Sequence, residues 1–271
     1  MIKKTSLLYG SIFCLSLFFL AACQPNLPTD QTGKTAESTE AKGAQKQKKF
    51  TVKTFLKEVK KANREVESVD LYLEADNQSN SETKKQKLSA HILFAGPGQE
   101  TIKKSTATLQ ESDNSKELYQ EFILVGDAEN HLYSRSGKDE EWRKEVLEGE
   151  YDVEPNYHKF LDIIYSMEDD LKLEDDDDDG YTLTLRSQNI DIISLFEDEL
   201  NMHLEGISQK EVEKEMELTF TKDFYLEEID TGFGYDGQKG KLDVDVRGTF
   251  SNWNEVDDSY FEAPNNINND A

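Results

Sequence analysis

Few residues in this chain suggest chemistry by type and spacing. Asp175, Asp177 and Asp179, alternate members of a five-aspartate run closed by Gly180, match the opening Asp-x-Asp-x-Asp-Gly of a calcium-binding loop. Hard oxygen ligands at this density suit a divalent cation. The position that should supply the closing bidentate glutamate is Arg186, and 181–185 alternates like a strand where that motif enters a helix. Two readings stay open: a weak divalent-cation site on those three aspartates, or a solvated acidic turn. His91, His131, His158 and His203 have no metal-ligand spacing among them and no Glu-x-x-His pattern. There is no Gly-x-Ser-x-Gly elbow, phosphate-cradling loop or dinucleotide fingerprint. With 56 Asp and Glu in 271 residues, neighbouring carboxylates arise by composition alone and do not mark an acid–base pair. The chain is expected to be no enzyme and to need no cofactor.

Cys14 and Cys23 are the only cysteines. Cys23 stands where an apolar stretch turns abruptly polar. Before it, Met1-Ile2-Lys3-Lys4 is positive and the run 7–20 is apolar, the pattern of a secretory signal. That run is shorter than the roughly 20 residues a membrane span requires. Leu20-Ala21-Ala22-Cys23 resembles the lipobox of bacterial lipoproteins. The resemblance implies cleavage between Ala22 and Cys23 and a diacylglyceryl group on the Cys23 thiol. Removing 1–22 takes Cys14 away, leaving no pair for an internal disulfide, so the core must hold by packing. Two acyl chains give stable membrane anchoring where one is marginal. The expected location is the outer, extracytoplasmic face of the cell membrane.

Residues 23–49, the cysteine and a polar stretch without aromatics, cannot bury a core and read as a flexible tether. The remainder, 50–266, is long enough for one sizeable domain, with 267–271 as a disordered tail. Formal charge is −25 for the whole chain, and loss of Lys3 and Lys4 makes it −27. A globule of that sign repels nucleic acid and anionic headgroups, so no nucleic-acid partner is expected and membrane contact runs through the lipid.

The elements follow from hydrophobic spacing. In 51–68, Val52, Phe55, Leu56, Val59, Ala62 and Val66 recur at three and four, predicting an amphipathic helix with Thr51 as N-cap. Leu88, Ala90, Ile92 and Phe94 alternate, and further strands are predicted over 70–74, 101–110, 118–125 and 131–135, with turns at Gly96-Pro97-Gly98 and Asp113-Asn114-Ser115. Tyr157, Phe160, Leu161, Ile164 and Leu171 predict a second helix, and 189–204 a third carrying Ile192, Ile193, Phe196, Leu200 and Leu204. A strand with Tyr181, Leu183 and Leu185 on one side separates them. Val212, Met216, Leu218 and Phe220, then Leu242, Val244 and Val246, close the chain as antiparallel strands around a Gly-rich hairpin. Trp142 and Trp253, each at a polar turn, either cap the sheet or line a hydrophobic or glycan-contacting pocket.

The lipobox and tether, the helix ending at Val66-Glu67-Ser68-Val69, "HLYSRSGKDEEWRKEV" and the closing "SYFEAPNN" together resemble Gram-positive lipoproteins of unassigned function with a LolA-like or LppX-like domain. The resemblance implies an α+β fold: a curved antiparallel sheet, an incomplete β-barrel, with helices across its concave face. Architecture and anchoring together point to a binding or accessory module, expected as a monomer, that receives an apolar ligand, a lipid or lipopeptide, or an envelope protein's segment. The alternative is a cavity-free interaction or structural lipoprotein that uses its acidic surface and weakly binds divalent cations.

Overall fold

The computed structural model describes residues 50–80, 82–126, 130–147, 154–174, 180–200, 207–238 and 240–268. Ala22, Cys23, the tether and Asp175, Asp177 and Asp179 lie outside them. The first element begins at the predicted cap. Thr54 N–H donates to Thr51 Oγ1 at 3.2 Å and Thr51 N–H donates to Thr54 Oγ1 at 2.9 Å, a reciprocal box that satisfies orphan helix donors. Helix α1 (Val52–Ala62) buries Phe55, Leu56 and Val59 and carries Lys60 and Lys61 in its last turn, where the helix dipole favours cations. It passes through a 3-10 turn, Asn63–Glu65, and stops short of the predicted end, because Ser68 already opens the first strand.

Six strands follow: β1 (Ser68–Ser79), β2 (Glu82–Phe94), β3 (Ile102–Ser112), β4 (Glu117–Gly126), β5 (Asn130–Arg135) and β6 (Trp142–Leu147). Then come α2 (Tyr157–Ser166), β7 (Leu171–Leu173), β8 (Tyr181–Leu185), α3 (Ile192–Leu200), β9 (Glu213–Phe220), β10 (Leu226–Gly237), β11 (Gly240–Ser251) and β12 (Ile267–Asn268). Three expectations are corrected here. Leu171 belongs to a strand paired with β8 and not to the second helix, which ends at Ser166. Trp142 opens a strand, where the expectation was a turn. Ile267 and Asn268, assigned to a disordered tail, pair in parallel with Trp142 and Arg143.

The strands form one 12-stranded sheet in the order β12-β6-β5-β4-β3-β2-β1-β11-β10-β9-β8-β7. Every pairing except β12 with β6 is antiparallel. The two end strands, β12 and β7, do not meet, so the curved sheet is an unclosed barrel, as expected. The first and last long strands, β1 and β11, pair over ten residues from Asp70↔Ser251 to Ser79↔Leu242. That pairing joins the N-terminal meander to the C-terminal one.

Alternation along each strand puts one row toward the helices: Val69 and Leu71, Ala90, Ile92 and Phe94, Met216, Leu218 and Phe220, and Val244, Val246 and Phe250 are all buried. The helices answer with Phe55, Tyr157, Phe160, Leu161, Ile164, Ile192 and Phe196, in the same cluster. Phe160 meets Phe196 and Phe250 with ring centroids 5.8 Å apart in each pair, and Tyr157 meets Phe250 at 5.0 Å. At roughly 1.5–3 kcal/mol for each large apolar side chain buried, this face is where the fold's stability resides.

Candidate functional site

The acidic run joins β7 to β8, two antiparallel strands, and not a loop to a helix. Gly180 sits so close to β9 that a Cβ there would lie 2.4 Å from the Phe220 carbonyl oxygen. The strand Tyr181–Leu185 after the glycine is the one the alternation predicted, in place of the exit helix of a calcium-binding hand. Among the described residues no group of three or more His, Cys, Asp or Glu is arranged to hold a metal ion. His91 and His131 stand on strands and His158 on α2, as predicted, while His203 is outside the described residues. Among the described residues no helix is long and apolar enough to cross a membrane.

On the helix-covered side, a polar node ties α1 to α2 and to the turn before β10. Asn63, buried at the end of α1, donates from Nδ2 to the carbonyls of Val59 at 2.8 Å and Phe224 at 2.9 Å and accepts from the Tyr157 hydroxyl. Burial drives the Tyr157 phenol far above its ordinary value, so it stays a donor. Beside it a small recess of about 90 Å³ is lined by Asn63, Arg64, His158, Leu161, Asp162 and Tyr165. Burial pushes the His158 imidazole down, against the pull of the Val66 carbonyl and Asp162, so the ring is neutral near pH 7. The recess has room for a few waters, not for an acyl chain.

Past its fully buried residues the same face continues as a half-buried apolar trough. Toward the β1–β2 hairpin, Leu73, Ala75, Leu88, Ala107 and Leu242 remain half-buried while packing against the core. Register places Leu73 opposite Leu88 and Leu88 opposite Leu109, giving an apolar row across β1, β2 and β3. Leu118 on β4 is 42% exposed at its far end. Spacing placed Leu88 and Leu242 in alternating rows but did not show that this end of the face would stay half-buried.

Lys214 is a residue the spacing missed. It occupies the inward row of β9 between Val212 and Met216, yet it is 5% exposed. Its ammonium donates to the carbonyls of Ile190 at 2.8 Å and Gln188 at 3.4 Å, fastening the segment before α3 to the sheet edge. Desolvation lowers its pKa, with Asp191 opposing. It serves position, not chemistry.

The opposite face carries a second depression, crossed by the segment after β11. That segment is pinned at one end by Asn254 N–H to the Ser68 carbonyl, 2.9 Å, and at the other by Trp142 N–H to the Asn266 carbonyl, 3.0 Å. Between them Phe261 is buried and Tyr260 lies flat on His91, centroids 3.7 Å apart and planes 14° apart. The cleft beside Tyr260 measures about 260 Å³ and is lined by Ser89, His91, Thr106, Glu121, Ile123 and Trp142, among others. His91 Nδ1 meets Asp70 Oδ1 at 2.5 Å, and Asn252 Nδ2 donates to Asp70 Oδ2 at 2.6 Å. Glu121 accepts from Arg135 Nε and from the Tyr119 hydroxyl. Burial pushes the Glu121 carboxyl up, but these donors outweigh it and hold it below the usual carboxylate range. Arg135 also lies over the Trp142 ring at 4.7 Å. Trp142 is thus both part of the sheet's packing and a wall of a pocket. Trp253 caps the other end by stacking on Tyr225 at 5.2 Å.

No family model and no curated protein matches this chain. Among solved structures it is similar to a DUF1329 family protein from Desulfovibrio piger, at 7% identity over 78% of this chain and 97% of that one, with a TM-score of 0.26. A LolA superfamily protein from Nitrosomonas europaea matches at 8% identity over 79% of this chain and 99% of that one, with a TM-score of 0.27. At scores of this size the fold rests on the strand order and the helix-covered face themselves.

Proposed function

We propose that the protein is a lipid-anchored, extracytoplasmic binding module that holds an apolar chain along the open part of its concave face. The observation that carries this reading is the half-buried row of Leu73, Ala75, Leu88, Ala107 and Leu242, packed against the core yet left partly open. Apolar area left at the mouth of a curved sheet gains about 25 cal/mol for each Å² an alkyl chain covers. The lipobox resemblance at Leu20-Ala21-Ala22-Cys23 supplies the anchor in this reading. Asp70 and Glu121, the carboxylates at the outer cleft, are engaged by neighbours, and the apolar row is what supports a binding role. The test is mass spectrometry of organic extracts from the protein purified from its own cells by way of residues 24–271. A stoichiometric co-purifying lipid is the expected result, and lipid-free protein that takes up no added fatty acyl ligand refutes it.

A further inference from the structure

The outer-face cleft has a different chemistry from the trough, and its side chains select their ligand by what they have left to offer. Asp70 is engaged by His91 and Asn252, and Glu121 by Arg135 and Tyr119. No lining carboxylate is left for a cation. Arg135, the cation nearest Trp142, is held by Glu121, by the Lys138 carbonyl at 2.6 Å and by the Trp142 face. It is therefore committed and does not serve an anion.

What remains is hydroxyls, an imidazole nitrogen and aromatic rings. Ser89 is exposed at the cleft, and His91, whose Nδ1 faces Asp70, keeps Nε2 as a second hydrogen-bonding position. Thr106, paired with His91 across β2 and β3, lines the cleft with its Oγ1 out of contact with solvent and without any hydrogen-bond partner. An unpaired buried hydroxyl is costly, and rotation of the Thr106 side chain toward the cleft would let an entering polar group pair with it. Trp142 and the half-exposed Tyr260 add aromatic surface on two sides. Hydroxyls, an imidazole nitrogen and aromatic faces, with the lining carboxylates already partnered, match a ring that is itself apolar on its faces and hydroxylated on its rim.

We infer that this cleft binds a neutral saccharide, one sugar ring seated beside Tyr260 over Thr106. Its volume of about 260 Å³ lies just under the range of about 300–1,000 Å³ typical of drug-sized sites, consistent with one ring and not a long oligomer. The site lies on the face opposite the apolar trough, so it stands or falls independently of that reading.

The experiment is calorimetric titration of the mature chain with glucose, N-acetylglucosamine and their β-1,4-linked tetramers, repeated on Thr106→Val and Tyr260→Ala. Saturable binding of at least one neutral sugar is expected, weakened about threefold to tenfold by Thr106→Val, which replaces only the hydroxyl with a methyl. The same substitution leaves the melting temperature unchanged or higher, which separates lost recognition from lost folding. Equal affinity for ring and tetramer places a single unit in the cleft, whereas a tetramer advantage adds contacts along the face; both support the site. Absence of binding by all four sugars, or binding indifferent to both substitutions, overturns the proposal.

Discussion

The two faces of one sheet are built from the same alternating strands and end in opposite conditions. The concave face is covered by three helices and filled with rings: Phe55, Phe160, Phe196, Phe220 and Phe250 are at most 1–2% exposed. The outer face is crossed by the single segment 252–268 and is otherwise ionic, with pairs such as Lys87–Glu74 at 2.8 Å and Arg247–Glu228 at 2.9 Å. Stability is concentrated where water is excluded. Selectivity can be built where polar groups stay close to water but are already partnered.

The largest difference should come from Phe160→Ala on the concave side. It opens a cavity among Phe196, Phe250 and the helices and is expected to cost about 3–5 kcal/mol in urea-monitored unfolding. Phe261→Ala, also a buried ring but on the outer segment, should cost less globally. Its penalty is capped by the free energy that docks 252–268, so its signature is faster hydrogen exchange at Trp142 N–H while the α1 amides keep their protection. Equal global losses for the two would erase the contrast.

Acidification should separate the faces by sign. His158 is held below its ordinary 6.5 by burial, so between 6.5 and its lower folded value the unfolded chain binds more protons and stability falls as pH drops through that window. On the outer face burial comes first, then Asp243, Asp230 and Asp76, in raising the Asp245 carboxyl above its ordinary 3.8. Between that raised value and 3.8 the folded chain binds more protons, so this contribution rises as pH falls and is lost as pH rises through the folded value. Melting curves against pH should therefore lose their drop below pH 6.5 in His158→Gln and their acid-side compensation in Asp245→Asn. At the small end, Lys87→Ala removes an exposed cross-strand pair and should leave the melting midpoint unchanged within error.

Much of the concave face could be read directly from spacing. Thr51 as cap, the alternation of Leu88 to Phe94 and that of Met216 to Phe220 are local signals, and each reports which side chains turn inward. What escaped did so for physical reasons. Leu171-Lys172-Leu173 is three residues long, too short for a period of two to compete with the helical spacing before it. Lys214 interrupts an apolar row and would have been placed in solvent by type alone, because its two carbonyl partners come from a segment 24 and 26 residues away. The outer cleft gathers β2, β3, β4, β6 and the last turn, so no window of sequence contains it. One clue was available: a β1–β2 hairpin turning near Asn80 sets Asp70 opposite His91, and that register alone pairs an acid with an imidazole.

The central claim is that an apolar ligand lies on the half-buried part of the concave face. A photoreactive fatty acid irradiated with the mature protein, followed by peptide mapping, addresses it most directly. Label on the strands carrying Leu73, Leu88 and Leu242, abolished by Leu88→Asp, is the predicted result. Label confined to the outer face around Tyr260, or no saturable label at all, would contradict it.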